Sequence, residues 1–396
     1  MNATRLRIGI DARAFNSPAA GVRRYVTELS RALAAGDFEI DLVAITDEPA
    51  APTNFGRHAA SLPLAIQRAR VGLYHAPAYT APLWGRTPVV LSIHDVSYAR
   101  HPEWYPYRRD PLRRWFYRQS ARRAALILTI SNFSKREIIA AYNIPDNRII
   151  VTPLGVSNIF RPAPAAAENG AVRAADAAAG AILASEPTSA VRASGAAAAG
   201  GAPFLLHVGD LHARRNIGIV VRALARLRAR DAGSNPGWST SLDDVRLVLV
   251  GVDRGLAETL LDDADRLGVR DVIELRGRVS DEELVTLYQR CAALVYPSRY
   301  EGFGFPLVEA MACGVPVIAA NASAIPEVTG DAAVLLDPDD ESGFADAIAR
   351  VLSDRAHAAD LRARGLARAA QFTWQATAAR TADAYRRAAS LTNDVA

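Results

Sequence analysis

Short apolar runs rich in β-branched residues alternate with segments of helical periodicity along most of this 396-residue chain. In the first half the runs are LRIGID, EIDLVAI, VGLYHA, PVVLSIHD, ALILTIS and RIIVTPLG. After Pro203 the alternation resumes with PFLLHVGDL, VRLVLVG, VIELRG, AALVYPS, VPVIAA and AAVLLDP. Repeated strand–helix units predict a parallel sheet covered by helices on both faces. We therefore expect an α/β protein made of two Rossmann-like, doubly wound domains that face each other across a cleft.

One segment interrupts this alternation. Residues 163–202 contain 19 alanines in 40 positions and almost no large apolar side chains. Such a composition offers too little apolar surface to form a core, so we interpret the segment as a flexible insertion that a short Gly/Ser linker could replace. The predicted organisation is a first domain at 1–162, this insertion, a second domain at 203–371 and a C-terminal helix at 372–396.

Composition narrows the class of protein. The chain has no run of ~20 apolar residues and no signal-peptide core at its start, which favours a cytoplasmic protein. Cys291 and Cys313 lie in apolar segments and are expected to be reduced core residues. The net charge of +4 is uneven, because residues 1–157 hold 21 Lys and Arg against 12 Asp and Glu. The basic excess therefore belongs to the first domain.

The stretch YPSRYEGFGFPLVE at 296–309 combines a strand end, a tight loop and a helix start with Pro306 at the first helical position. Unpaired N–H groups and the positive end of a helix dipole favour phosphate at such a place. Glu301 and Glu309 would be repelled by phosphate but would hydrogen-bond sugar hydroxyls. The stretch thus predicts a ligand that carries both phosphates and sugars.

Other candidate residues follow the predicted strands, where open parallel sheets bind their ligands. Arg214 and Arg215 lie in the turn after PFLLHVGDL and would suit a diphosphate. His94 ends VVLSIHD and would face them across the cleft, and Gly21 follows the first strand at a plausible approach point for a ligand. The GxGxxG turn of dinucleotide-binding folds is absent from both first turns, which disfavours an NAD-dependent enzyme.

Several long motifs resemble one family. YPSRYEGFGFPLVEAMACGVPVIAANASAIPEVTGDAAVLLDPDD is similar to the signature region of the retaining nucleotide-sugar glycosyltransferases of GT-B fold, a family that includes many bacterial mannosyltransferases. VGDLHARRN, SIHDVSYARHPEWYP, SNFSKREI and PLGVSNIFRP extend the likeness over nearly the whole chain apart from 163–202. The resemblance implies a last helix that crosses back to the first domain, and FTWQATAARTADAYRRAA has the required apolar stripe at Trp374, Ala378 and Tyr385.

The resemblance also implies roles for single residues. It assigns Glu301 to the hydroxyls of the donor sugar and Glu309 to the ribose of the nucleotide. Arg214 and Arg215 would meet the diphosphate, and His94 would touch the transferred sugar.

In the same family the Gly304–Phe305 backbone approaches sugar or phosphate, and Gly21 lies near the donor. Catalysis would be mainly electrostatic and would need neither a metal nor another cofactor. Two positions depart from the pattern: Arg215 stands where the family usually has Lys, and Arg23 stands in GVRRY where a second glycine is common. Arg23 points to an altered donor contact or to an anionic acceptor.

The nucleotide base, the sugar, the acceptor and the oligomeric state stay open. Likeness of NASAIPEVTGDAA to mannosyltransferase-like members favours GDP-mannose, with a saccharide or lipid-linked acceptor in cell-surface polysaccharide synthesis. The alternatives are a sugar-nucleotide epimerase and a basic binding protein. The stretch RRDPLRRWFYRQSARR fits a solvated helix face or a peripheral contact with the anionic inner face of the membrane, and it lacks any nucleic-acid motif. We therefore expect no nucleic-acid partner.

Overall fold

A computed structural model describes residues 5–47, 56–82, 84–105, 110–164, 203–231 and 245–393. Two of the sequence predictions fall outside these ranges. The Ala-rich insertion lies outside them from residue 165 onward, and so do Arg108 and Arg109 of the basic stretch. The described residues form two sheets with flanking helices.

The first sheet contains six parallel strands in the order β2-β1-β3-β4-β5-β6. β1 is flanked by a strand on each side, and its Ile8 pairs with Leu42 of β2 and with Leu73 of β3. Strands buried on both faces need continuous apolar runs. The strands are β1 (Leu6–Asp11), β2 (Ile40–Ile45), β3 (Leu73–Ala76), β4 (Val89–Ser92), β5 (Leu126–Thr129) and β6 (Ile149–Val151).

The second sheet also has six parallel strands, in the order β12-β11-β10-β7-β8-β9. Its central strands β10 and β7 end immediately before the two loops that carry the predicted donor residues. The strands are β7 (Phe204–Val208), β8 (Arg246–Val250), β9 (Ile273–Gly277), β10 (Ala293–Tyr296), β11 (Val317–Ala320) and β12 (Val334–Leu336). Two such sheets confirm the predicted α/β fold class.

Several helices begin at a capping side chain. Asp110 accepts a hydrogen bond from the Arg113 N–H, and Ser131 and Ser280 cap two further helices in the same way. The helices are α1 (Ala20–Ala35), α2 (Leu62–Ala69), α3 (Ser97–Arg100), α4 (Pro111–Arg123), α5 (Asn132–Tyr142), α6 (Gly218–Asp231), α7 (Ala257–Arg266), α8 (Asp281–Arg290), α9 (Phe305–Ala312), α10 (Ile325–Thr329), α11 (Glu341–Ser353), α12 (Arg355–Ala369) and α13 (Trp374–Asn393).

The last helix, α13, leaves the second domain and packs on the first sheet. The Tyr385 hydroxyl lies 2.7 Å from Nδ1 of His75 in β3, and the Thr377 hydroxyl donates to the carbonyl of Pro153 over 2.7 Å. Trp374, Ala378 and Tyr385 are buried, which confirms the predicted apolar stripe. In the described part of the chain, no helix has the length and apolar character needed to span a membrane.

Both cysteines are free, as predicted, with Cys313 buried and Cys291 half-buried. An apolar cluster runs through both domains and joins the first sheet, the second sheet and α13. It includes Leu126, Leu206, Phe303 and Tyr385. The two domains are therefore connected by packed side chains at the base of the cleft.

Candidate active site

A cleft of about 720 Å³ lies where the carboxyl ends of the two sheets face each other. It is lined by loops that follow β1 and β4 in the first domain and β7 and β10 in the second. All eight predicted site residues line this cleft: Gly21, His94, Arg214, Arg215, Glu301, Gly304, Phe305 and Glu309. The fold thus brings together residues up to 288 positions apart in the sequence, Gly21 and Glu309 being the extremes.

The two arginines converge on Glu301. They lie in a short 3₁₀ turn, Ala213–Arg215, which ends at Asn216 in the left-handed conformation before α6 begins. Arg215 donates to the Glu301 carboxylate and to the Tyr296 hydroxyl. Arg214 donates to the Tyr300 carbonyl over 2.9 Å and lies 3.4 Å from Glu301 Oε2.

This cluster is shielded from solvent. Glu301 is buried and Arg215 is nearly so. Burial lowers the pKa of Arg215, an effect that the facing Tyr296 partly offsets. A buried carboxylate held by two guanidiniums is a strong charge-assisted arrangement, and removing either sign of charge leaves the other uncompensated.

Glu309 has a partner from the other domain. It lies in α9 and is buried, and it accepts a hydrogen bond from the Tyr288 hydroxyl over 3.0 Å. Arg24, in the first turns of α1, reaches across the cleft to pair with Glu309 and with Asp281 Oδ1, the latter at 2.6 Å. Burial raises the pKa of Glu309, and the Arg24 charge opposes that rise.

The sequence analysis had singled out Arg23 and missed its neighbour Arg24. Arg23 donates to the carbonyl of Ser17 over 2.8 Å and also lines the cleft. Arg24 follows it directly in GVRRY, so adjacency was the one signal available in the sequence. Whether Arg23 or Arg24 crosses the cleft depends on the direction in which each side chain leaves α1.

His94 supplies a neutral imidazole to the cleft. Burial lowers its pKa to about 4, although the nearby Asp95 opposes the shift, so the ring is uncharged at neutral pH. Its Nε2 has no hydrogen-bond partner in the part of the chain that the structure describes. The ring packs edge-on against Tyr25 at 4.7 Å between centroids. A buried nitrogen of this kind needs a polar partner, and a ligand hydroxyl would provide one.

The start of α9 faces the same cleft. Gly304 precedes it with φ +96°, a conformation that favours glycine, and Pro306 occupies the first turn. Among the residues that the structure describes, no side chain caps these first N–H groups. Within the same residues, a Cβ added to Gly21 in the first turn of α1 would have no atom within 4 Å outside its chain neighbours and its own helix backbone. Both glycines leave backbone accessible to a ligand.

A second cavity of about 690 Å³ opens in the first domain beside the cleft. The two cavities share Tyr79, Pro18 and Val22. Its wall includes the aromatic side chains of Phe116 and Tyr117. A molecule in this cavity would therefore lie next to the cleft at Tyr79.

Two facing α/β domains with paired arginines, acidic residues and a free helix N-terminus at the cleft define a nucleotide-sugar transferase. Comparison with known proteins agrees. Residues 194–368 match the family described as "Glycosyl transferases group 1", and residues 19–158 match "Glycosyltransferase Family 4". The chain belongs to the nucleotide-sugar glycosyltransferases of GT-B fold.

Mannosyltransferases are among its relatives. The chain is 31% identical over 315 residues to an O-antigen chain mannosyltransferase B of Escherichia coli, covering 79% of this chain and 74% of that protein. It is 29% identical to an MMP alpha-(1->4)-mannosyltransferase of Mycolicibacterium hassiacum, covering 76% of this chain and 66% of that one. This protein is a glycosyltransferase.

Solved structures share its fold. A sucrose-phosphate synthase from Thermosynechococcus elongatus superposes with a TM-score of 0.69 at 20% identity, covering 97% of this chain and 99% of that one. Anabaena HepE in complex with UDP and glucose gives a TM-score of 0.69 at 19% identity, covering 97% and 100%. At these identities the likeness establishes the GT-B fold.

Proposed function

We propose that this protein is a retaining mannosyltransferase that moves mannose from GDP-mannose to a saccharide or lipid-linked saccharide in cell-surface polysaccharide synthesis. The observation that carries the proposal is the placement of Glu301 against both Arg214 and Arg215, opposite His94. The O-antigen mannosyltransferase relative supports the choice of sugar and pathway class.

In the proposed reaction the donor diphosphate binds Arg214 and Arg215 in place of Glu301 and lies at the start of α9. The C1–O bond to the diphosphate breaks and its electron pair goes to the leaving oxygen. The acceptor hydroxyl oxygen bonds C1 from the same face, and its proton passes to the departing diphosphate. Fixed positive charge at Arg214, Arg215 and the helix N-terminus stabilises the growing negative charge, so no metal ion enters the proposal.

The acidic residues that lose their arginine partners then bind the sugar hydroxyls of the donor. Once Arg215 binds phosphate, the Glu301 carboxylate is free to accept hydrogen bonds from the mannose hydroxyls. Neutral His94, with its unpartnered Nε2, can exchange a hydrogen bond with a hydroxyl from the opposite wall. Glu309 accepts from the ribose after Arg24 moves aside.

The acceptor is proposed to occupy the first-domain cavity. Aromatic faces at Tyr79 and Phe116 suit the apolar face of a sugar ring. This wall holds three arginines against two aspartates, Asp11 and Asp110, and Arg113 pairs with Asp110. Its small positive excess fits an anionic acceptor. Because the cavity meets the cleft at Tyr79, an acceptor hydroxyl can reach the donor carbon.

A lipid-linked acceptor would require contact with a membrane, and α4 offers a suitable surface. Arg114, Arg118 and Arg122 are exposed and repeat every four residues, which places them along one helix face. Leu112 and Trp115 are exposed one turn apart on the same helix, with 60% and 46% of their surface accessible. Basic stripes beside exposed apolar side chains are typical of peripheral helices that bind anionic leaflets.

The test begins with thermal shift in GDP-mannose, UDP-glucose and other nucleotide-sugars. A ligand that binds only the folded state at ~100 times its Kd stabilises by ~2.7 kcal/mol, so GDP-mannose should raise the melting temperature most. NMR of the product from GDP-mannose and an oligomannoside acceptor should show an α-linkage. Preference for a uridine donor would refute the proposed nucleotide, and a β-linked product would refute retention.

A further inference from the structure

The first turn of α5 donates hydrogen bonds to the opposite domain. Glu327, in α10 of the second domain, accepts at Oε1 from the Asn132 backbone N–H at 2.7 Å and from its side-chain Nδ2 at 2.9 Å. Its Oε2 accepts from the Phe133 N–H at 3.0 Å. The side chain of the helix's own N-cap, Ser131, accepts from the following N–H, that of Ser134, over 3.0 Å. Glu327 therefore completes the cap of a helix almost 200 residues away.

The capped helix carries a side chain to the point where a loop of each domain meets the other. Ser134 is fully buried, and its hydroxyl donates to the His94 carbonyl over 2.9 Å. The same oxygen lies 3.4 Å from the Gly302 carbonyl, in the loop directly after Glu301. One hydroxyl thus lies between the two strand-end loops that carry the proposed sugar-binding groups.

The two loops touch through their backbones at this point. A Cβ added to Gly302 would lie 2.5 Å from the His94 carbonyl oxygen, closer than any side chain allows. Only glycine at 302 permits this approach, which sets the separation between the His94 ring and the Glu301 carboxylate.

The short helix that presents Glu327 is itself held in place. Arg368, from α12, donates to the Glu327 carbonyl over 2.7 Å and to the Val328 carbonyl over 2.9 Å. The carboxylate consequently has a fixed origin within the second domain. A negative charge at a helix N-terminus is also favourable, since it meets the positive end of the helix dipole.

We infer that Glu327 is a positioning residue for transfer: by capping α5 it holds Ser134 between the His94 and Gly302 carbonyls and so fixes the domain arrangement that catalysis needs. This inference rests on the proposed function for His94 and Glu301. Glu327 lies outside the residues that line the cleft, so its effect is on the geometry of the sugar site rather than on nucleotide binding. A small misplacement of reacting groups can lower a rate by ~10².

The experiment compares Glu327→Gln with Asp331→Asn, which neutralises an exposed acid four residues further along the chain. Activity is the release of GDP from GDP-mannose with water or an oligomannoside as acceptor. For Glu327→Gln we expect kcat to fall ~10-fold or more, while the KM for GDP-mannose and the Kd for GDP change less than about threefold. Asp331→Asn should match the wild type in all three.

Hydrogen exchange supplies a readout that does not depend on the donor. The Asn132 and Phe133 amides should lose protection in Glu327→Gln, whereas the start of α8, capped locally by Ser280, should not change. Lost protection with wild-type kcat would overturn the inference. So would a fall in kcat accompanied by an equal loss of GDP affinity, because that pattern indicates general destabilisation.

Two further variants keep the inference testable if Glu327→Gln is poorly folded. Ser134→Ala should lower kcat with GDP affinity retained, and Ser134→Thr, which keeps the hydroxyl, should recover part of it. The Glu327→Gln/Ser134→Ala double variant should be no worse than the more damaged single variant, because both act through α5. If the effects of the two substitutions on the free energy of activation simply added, the inference that both act through α5 would be refuted. Wild-type turnover of GDP-mannose in the same assay reports separately on the proposed donor.

Discussion

Mild acid should destabilise this protein strongly, because four histidines are buried in their neutral form. His75 lies 2.8 Å from the Ser92 hydroxyl and 2.7 Å from that of Tyr385, so both of its ring nitrogens are occupied in the uncharged state. Burial lowers the pKa of His75 and of His207 to about 3 and that of His58 and of His94 to about 4. Protonating any of them in the folded protein would place a charge in the core.

The direction follows from where each state binds its proton. In the unfolded chain a histidine becomes protonated near pH 6.5, whereas in the folded chain these four do so only near pH 3 to 4. Between those values the unfolded state holds more protons, so stability falls as pH falls. At pH 5 each histidine costs about 2 kcal/mol and the four together about 8 kcal/mol. Typical domains have only ~5–15 kcal/mol to lose.

Glu309 acts in the opposite direction. Burial raises its pKa, so the folded state takes up this proton more readily than the unfolded chain and regains some stability on acidification. It can cancel at most one of the four protons. The net slope near pH 5.5 should therefore lie between about 2.5 and 3.5 protons, or roughly 3.5 to 5 kcal/mol per pH unit.

Urea unfolding from pH 7.5 to 5, followed by tryptophan fluorescence, measures this slope. His207→Phe keeps a planar ring but removes one titrating group, so it should flatten the slope by about one proton, or ~1.4 kcal/mol per pH unit. His101→Gln, at a partly exposed site, should leave the slope unchanged. A wild-type free energy that stays constant between pH 6.5 and 5 would refute the argument, as would an unaltered slope in His207→Phe.

Three other outcomes are expected. Glu301→Gln should lower GDP-mannose turnover ~10²-fold, whereas its affinity for GDP should be kept or improved because the arginines lose a competing charge. Glu258→Gln, at an exposed helix position, is the control. Near-wild-type turnover in Glu301→Gln would count against the role of Glu301. Tyr385→Phe should cost ~1–3 kcal/mol in urea unfolding, because buried His75 loses a partner; no loss would show that the pair contributes nothing. A variant with Gln in place of Arg114, Arg118 and Arg122 on α4 should no longer co-sediment with phosphatidylglycerol vesicles at low salt. The wild-type protein should be released from these vesicles at 1 M salt, where the screening length is ~3 Å. Equal binding of the wild type to neutral phosphatidylcholine vesicles would contradict the proposed membrane contact.

Periodicity was sufficient to predict the sheets and the ligand edge, because strand runs and helix turns are local features of the chain. The loops after PFLLHVGDL and AALVYPS had to meet, since neighbouring parallel strands end on one side of their sheet. Helix ends were less predictable. Asn216, for example, adopts a left-handed conformation after the arginine turn, and α6 begins only at Gly218.

Contacts between the domains could not be predicted in this way. Arg24 and Glu309 are 285 positions apart, and Glu327 and Asn132 are 195 apart. No propensity or spacing links such pairs, because they depend on how two finished domains pack together. The motif IPEVTG contributed to the family resemblance, yet only the three-dimensional contact shows that its glutamate caps a helix of the other domain.

These contacts pair opposite charges in the cleft. Each acidic residue proposed to bind a sugar is held by arginine: Glu301 by Arg214 and Arg215, and Glu309 by Arg24. A nucleotide-sugar brings phosphates for the cations and hydroxyls for the carboxylates, so binding exchanges protein ion pairs for ligand contacts without leaving a buried charge unpaired. A nucleoside diphosphate alone would free Glu301 without giving it a sugar to bind. The acid–arginine pairs that neutralise the cleft should therefore also favour binding of the complete nucleotide-sugar over the nucleoside diphosphate.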